Sequence, residues 1–221
     1  MIFAIADLLS SEELTNINSI LSKAEFVDGK LTAGWHAKLV KNNQQLKGGT
    51  AQTKDLQGKI RAALNRNALF QTAVRPKSIH SILFSRYDEG MSYDRHVDNA
   101  LMGNLYRSDV SFTLFLNSPE EYQGGELIAE GVQDEKSFKL DAGSVLIYPS
   151  TTIHRVNTVT KGTRLVAVGW VQSFIRDASD RELLFDLDTV RRSIFAKEGK
   201  TVEFDLISKS IANLLRKWAE C

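Results

Sequence analysis

The sequence predicts an α+β fold in which a β-sandwich or jelly-roll core lies between N-terminal helices and a C-terminal helical hairpin. Two changes of hydrophobic period carry that expectation. Apolar residues recur at helical spacing near the start. Residues 78–174 then break into short β-rich runs separated by Gly-, Pro- and Asn-containing turns, and the helical period returns after Ser173. The 221 residues suffice for one sizeable core with small appended elements. The expected division is 1–77 as helical and loop support, 78–174 as the core domain and 175–221 as a helical extension.

Each element has its own signal. Residues 2–6 are a short apolar run. Ser10 and Glu13 then form a capping box, and Leu14, Ile17, Ile20 and Leu21 give a helix over about 11–23. Residues 25–50 are polar and glycine-dotted, so loops around an anchor, Trp35, are expected. Leu56, Ile60, Ala63 and Leu64 mark a second helix over about 51–68. A strand runs from Ser78 to Tyr87 and ends at the turn Asp88-Glu89-Gly90. Further strands are expected at 109–116, 125–130, 136–140, 144–148 and 164–172. In the hairpin, Leu183, Leu184, Leu187, Val190 and Ile194 line one helix face. Leu206, Ile207, Ile211, Leu214 and Leu215 line another, and residues 197–200 break the helix between them.

Composition narrows the classes. Hydrophobic residues are 43% and charged residues 25%, an ordinary soluble balance that excludes wholesale disorder. The 28 basic and 27 acidic residues leave a formal charge of +1, so no nucleic-acid or membrane-surface partner is expected. The single cysteine, Cys221, excludes an intramolecular disulfide. The N-terminus reads as a strand and a helix cap rather than a signal peptide, and no apolar stretch approaches the roughly 20 residues of a membrane span. A cytoplasmic protein is the expectation.

Chemistry is concentrated in His96, Asp98 and His154. On a strand, residues i and i+2 share a face, so His96 and Asp98 can reach one metal ion. His154 follows the apolar strand 145–148 and the turn at Pro149, and a jelly roll brings such distant strands together. Two imidazoles and a carboxylate leave three positions open on non-haem iron(II). Alone, an H-x-D triplet is common on exposed surfaces and would carry no such weight. His36 and His80 lack this context and are read as loop surface and strand packing. Arg164 tips the balance: it opens the next apolar strand, where a buried guanidinium needs an anion. Its planar fork suits the distal carboxylate of 2-oxoglutarate.

These residues sit in runs that resemble the prolyl/lysyl-hydroxylase-type branch of the 2-oxoglutarate oxygenases. The matching runs are residues 87–90 through 96–99, Gly124-Gly125-Glu126-Leu127, residues 141–149 leading to His154-Arg155-Val156, and residues 162–170. The flanks, including Asn42-Asn43-Gln44-Gln45-Leu46 and the helical C-terminus, are similar to the bacterial PKHD-type hydroxylases, the PiuC-like group.

The resemblance implies a double-stranded β-helix (jelly roll) and a dioxygenase using Fe(2+), 2-oxoglutarate and O2, with L-ascorbate a candidate reductant. It assigns His96, Asp98 and His154 to iron and Arg164 to 2-oxoglutarate, with Tyr87 and Trp170 lining the cosubstrate pocket. Asp98 implies hydroxylation rather than halogenation, because related halogenases replace this carboxylate. Phe115 stands where some relatives carry a tyrosine that assists the arginine, so another donor or water must replace that hydroxyl. Gly124-Gly125 reads as a tight turn into a strand.

Two rivals stay open. One is a cupin-type isomerase or dioxygenase without 2-oxoglutarate, against which Arg164 argues. The other is a non-catalytic β-sandwich binding module. The substrate, small-molecule or peptidyl, is not legible: a prolyl or lysyl side chain, a small metabolite and an iron chelator all fit. Residues 26–50 and 99–108 are its expected rim. The apolar stripes of 176–220 are expected to pack together, on the core, or in a homo-oligomer.

Overall fold

Two antiparallel sheets face each other across the middle of the chain, and both faces of the larger one are covered. The structure is a computed structural model that describes residues 1–32, 34, 37–103 and 106–220. The expected anchor Trp35, His36, residues 104–105 of the expected rim and Cys221 lie outside the described residues.

The N-terminal part comprises β1 (Phe3–Ile5), α1 (Ser11–Leu21), β2 (Phe26–Asp28), β3 (Lys41–Asn42), β4 (Gln44–Leu46), α2 (Ala51–Arg66) and α3 (Ala68–Val74). The β-rich stretch runs through β5 (Pro76–Tyr87), β6 (Ser92–His96), β7 (Leu101–Met102), β8 (Tyr106–Arg107), β9 (Val110–Phe115), β10 (Tyr122–Gly124) and β11 (Leu127–Glu130). It continues with β12 (Glu135–Phe138), β13 (Val145–Pro149), β14 (His154–Val156), β15 (Val159–Gly162) and β16 (Arg164–Ser173). Two helices close the chain, α4 (Ala178–Glu198) and α5 (Val202–Trp218).

The larger sheet has the order β1-β13-β9-β16-β5-β4-β2, and the smaller one β12-β11-β14-β6-β3. Alternation along the central strands sorts side chains into two cores. In β16, Leu165, Ala167 and Val171 point to the helices, where they meet Phe112, Leu56, Ile60 and Phe70. Val166 and Val168 point inward with Tyr87, Phe115 and Leu146, between the sheets. Every residue of β9 is buried because both of its faces are covered. The jelly roll is therefore built as the sequence suggests.

The first helix starts as expected. The Ser10 side chain accepts from the Glu13 backbone N–H while the Glu13 carboxylate accepts from the Ser10 N–H. Three local expectations need correction. The stretch 25–50 is not only loop: β2 and β4 extend the large sheet, and β3 joins the small one. Strands of two or three residues are too short to show a period. The second helix is two, because Asn67 ends α2 and its side chain caps α3 by accepting from the Phe70 N–H. In the hairpin, Leu184 and Ile211 pack together with Ile175, whereas Leu183 and Val190 are about half exposed. No helix among the described residues is long and apolar enough to cross a membrane.

Candidate active site

The two sheets leave a cavity of about 280 Å³ between them, and all six residues singled out from the sequence line it: Tyr87, His96, Asp98, His154, Arg164 and Trp170. Strand pairing explains how the histidines meet. β14 lies antiparallel to β6 with His154 directly opposite His96, and the ring centroids are 4.3 Å apart. His154 opens β14 just after the turn that follows Pro149, as the sequence suggests. Asp98 departs from expectation: β6 ends at His96, so the carboxylate is carried by the chain just past the strand. One ligand atom from each of His96, Asp98 and His154 nonetheless lies within 4.8 Å of the others.

The groups behind the triad fix its donor atoms. His96 Nδ1 donates to the Asp94 carbonyl at 2.8 Å, and His154 Nδ1 donates to the Thr152 carbonyl at 3.0 Å. Both rings are thereby set in the tautomer that leaves the Nε2 lone pair available to a metal. Tyr93 stacks on His96 with centroids 3.6 Å apart. The Ser111 hydroxyl donates to Asp98 Oδ2 at 2.6 Å and is 2.8 Å from the Ser150 hydroxyl. Burial, then the neighbouring His154, pushes the His96 pKa down to about 4, so its imidazole is neutral at physiological pH. Two imidazoles that present Nε2 and one oriented carboxylate fit a divalent first-row metal.

At the other end of the cavity, Arg164 is 1% exposed. Its guanidinium lies 5.0 Å from the Tyr87 ring centroid and 5.6 Å from that of Phe115, sandwiched by π-faces. Its Nε is buried with no hydrogen-bond partner among the described residues. Its stem needs Gly125: a Cβ there would stand 3.1 Å from Arg164 Cδ, and the positive φ of 68° already favours glycine. The neighbouring Gly124 ends β10 with φ of 70°, a second position before β11 whose backbone favours glycine. Tyr87 is fully buried, which raises its pKa against the pull of Arg164. The Tyr122 hydroxyl, buried without a hydrogen bond of good geometry, lies close enough to Arg164 to feel its charge. Trp170 is part-buried, with an unpartnered Nε1. His80 is buried in β5 and stacks on Tyr106 at 5.1 Å, away from the triad, as strand packing requires.

Sequence reasoning missed one wall. Lys41, Asn43 and Gln45 are 6%, 4% and 2% exposed and line the same cavity. Burial pulls the Lys41 pKa down to about 8 against the attraction of Asp98 and Asp28. Every residue from Lys41 to Gln45 is polar, so no alternation in the sequence marks the three that turn inward.

Comparison with known proteins gives a consistent picture. A family model described as the 2OG-Fe(II) oxygenase superfamily matches residues 82–172. Proteins named PKHD-type hydroxylase from Gloeothece citriformis and Acaryochloris marina are 69% and 64% identical, each match covering 100% of both chains. Among solved structures, a Trichoplax adhaerens prolyl hydroxylase bound to a hypoxia-inducible-factor peptide aligns with a TM-score of 0.58 at 18% identity. That alignment covers 82% of this chain and 86% of the other. A Pseudomonas putida prolyl-4-hydroxylase aligns at 0.52 and 19% identity, covering 78% and 92%. At such identity these two structures speak for the shared jelly roll alone.

Proposed function

Since the chain belongs to the PKHD-type hydroxylases of the 2OG-Fe(II) oxygenase superfamily, we propose that His96, Asp98 and His154 are its iron ligands and Arg164 its anchor for 2-oxoglutarate. As a member it is an iron(II)- and 2-oxoglutarate-dependent hydroxylase. The bound metal supplies oxygen activation, coupling decarboxylation of 2-oxoglutarate to succinate and carbon dioxide with hydroxylation of a second substrate. The residues supply the rest. Both imidazoles present Nε2 lone pairs, Ser111 holds the Asp98 carboxylate in one orientation, and Arg164 draws the distal carboxylate to the closed end of the cavity. Tyr87 shapes that end against the guanidinium, while Trp170, further along β16 and opposite Ser111, lines the cavity on the Asp98 side.

The observation that carries this reading is the convergence of three donor atoms within 4.8 Å in a cavity whose other end holds a buried arginine. The test is an anaerobic iron(II) titration of wild type and the Ala variants of the triad. Wild type takes up one iron per chain. Asp98→Ala and His154→Ala lose tight binding, and the circular dichroism of Asp98→Ala is unchanged, because Asp98 lies past the end of β6 and outside the hydrophobic core. Normal iron affinity in Asp98→Ala contradicts the assignment.

Residues 78–174 are, on this reading, the catalytic unit, supported by the position of all four assigned residues within it. L-ascorbate is proposed as the reductant that holds the metal as iron(II); succinate yield with and without it tests this. The second substrate is a small molecule or a peptidyl side chain, and the near-zero net charge supports neither a nucleic-acid nor a membrane partner. A cytoplasmic location is proposed on the absence of any possible intramolecular disulfide. The exposed Val190, Phe195, Val202 and Leu206 on the C-terminal helices support association of two chains there, which sedimentation of the full chain and of one lacking 176–221 would test.

A further inference from the structure

The segment Lys41–Gln45 crosses from the small sheet to the large one along one side of the cavity. Lys41 pairs with Tyr93 in β6, and Gln45 pairs with Ser85 in β5. Its alternate residues are one ammonium and two amides, each more than nine-tenths buried and lining the cavity with the triad.

Part of this row is tied down. Lys41 Nζ donates to Thr32 Oγ1 at 3.2 Å, Thr32 Oγ1 donates to Gln45 Oε1, and Gln45 Nε2 donates to Ser85 Oγ at 3.4 Å. The chain of bonds fixes where the ammonium sits. It leaves two of the three ammonium protons without a hydrogen-bond acceptor among the described residues. No carboxylate of those residues lies within 4.0 Å of Lys41. The amine lies 5.3 Å from the Tyr93 ring centroid, on the residue that stacks on His96. Neither amide atom of Asn43 completes a hydrogen bond of good geometry, though both are buried and the Tyr87 hydroxyl is within reach of the amide. It is seated there by Gly29, where any Cβ would stand 1.9 Å from Asn43 Oδ1.

A buried cation with a single acceptor and a buried amide without a well-formed hydrogen bond are each unfavourable, and a single anion accepting from both would satisfy them. That anion is not 2-oxoglutarate if its keto-acid end goes to the metal and its distal end to Arg164. Asp98, the acid nearest in effect, is neutralised once it binds a metal ion. We propose that Lys41 and Asn43 form the subsite for a carboxylate of the second substrate, so that the substrate is a small carboxylate-bearing molecule. This inference rests on the roles given to the triad and Arg164 above.

The test uses the full chain loaded with iron(II) and saturating 2-oxoglutarate without oxygen, with butyrate and the isosteric neutral butyramide as probes. Binding is read from relaxation of the probe's methyl protons by the metal. The expected result is that butyrate binds at least about tenfold tighter than butyramide. Lys41→Met and Asn43→Leu reduce that preference, Lys41→Met abolishing it, while Lys41→Arg retains part of it. Equal binding of the two probes, or none by either, overturns the proposal. So does a tenfold loss of 2-oxoglutarate affinity in Lys41→Met, which makes the lysine a cosubstrate residue. Arg164→Ala, titrated with 2-oxoglutarate in the same samples, separates the two readings: unchanged affinity there breaks the earlier assignment whatever butyrate does.

Discussion

In the C-terminal helices Asp188 is 3% exposed and accepts from both Arg191 and Arg192, and the buried Arg181 donates to the carbonyls of Ile175 and Arg176. In the cavity Arg164 is 1% exposed and Lys41 6%, and neither meets a carboxylate among the described residues. The contrast is one of charge rather than of single polar atoms. Among the described residues nine buried side-chain nitrogen or oxygen atoms lack a partner, and four of them belong to the cavity-lining Asn43, Arg164 and Trp170. The other five, in Asn18, Arg75, Ser108, Tyr122 and Ser208, lie outside that lining, and the Arg75 guanidinium lies in the attractive field of Asp188. Where burial serves packing, charge is compensated by the chain itself. Where it is left uncompensated, the complement is a ligand.

Substitutions in the two regions should therefore move stability in opposite directions. Asp188→Asn leaves Arg191 and Arg192 without their shared acceptor. Because those arginines are partly exposed, the expected loss is about 2 kcal/mol rather than the ~3–5 kcal/mol of a fully buried pair, read by urea unfolding. Lys41→Met removes an uncompensated charge and should raise the melting temperature of the ligand-free protein. The sign follows from proton linkage. The folded pKa of Lys41 lies near 8 and the ordinary value is 10.5, so the unfolded chain binds more protons between these values. Wild-type stability gains on Lys41→Met as pH rises from 8 to 10.5. A melting temperature lowered by Lys41→Met would break the comparison.

The next effect is smaller and concerns only the metal. Ser111→Ala deletes the hydroxyl that orients Asp98, and about a tenfold loss of iron(II) affinity is expected, with the fold retained. Unchanged affinity in a calorimetric titration would show that Asp98 is held by the chain alone.

The smallest effect lies far from the cavity, at the cap of α1. Glu13 caps the helix and pairs with Arg66 of α2; the Arg66 hydrogen bond holds its carboxyl down to about 2. A carboxyl depressed on folding contributes stability above its ordinary pKa of 4.5 and loses it as pH falls through about 2. Glu13→Gln should cost up to about 1 kcal/mol at pH 7, since the pair is partly exposed, and progressively less in acid. A difference independent of pH between 7 and 2 would mean that the charge plays no part.

What could be read from the sequence followed the same division. The meeting of His96, Asp98 and His154 in one cavity with Arg164 was legible because histidine is rare in this chain and the order and spacing of these four residues carry information. The capping box at Ser10 and the long strands β5 and β16 were legible because their signals are local. Lys41, Asn43 and Gln45 were not, because their strands are too short to show a period and their sheet partners lie far along the chain. Ser111 gave no signal at all: a serine in an apolar strand reads as packing until Asp98 is seen beside it. Exposure of Leu183 and Val190 was equally hidden, since the helical period marks a face without saying how wide a partner covers it.

The most direct test of the idea that uncompensated buried charge marks a ligand is 2-oxoglutarate binding to iron(II)-loaded wild type and Arg164→Ala, measured calorimetrically without oxygen. Loss of one member of a buried charge pair, worth about 3–5 kcal/mol, predicts at least a hundredfold weaker binding in Arg164→Ala with iron affinity retained. Arg164→Lys, which keeps charge without the planar fork, should fall between them. Equal affinity in wild type and Arg164→Ala would contradict the account.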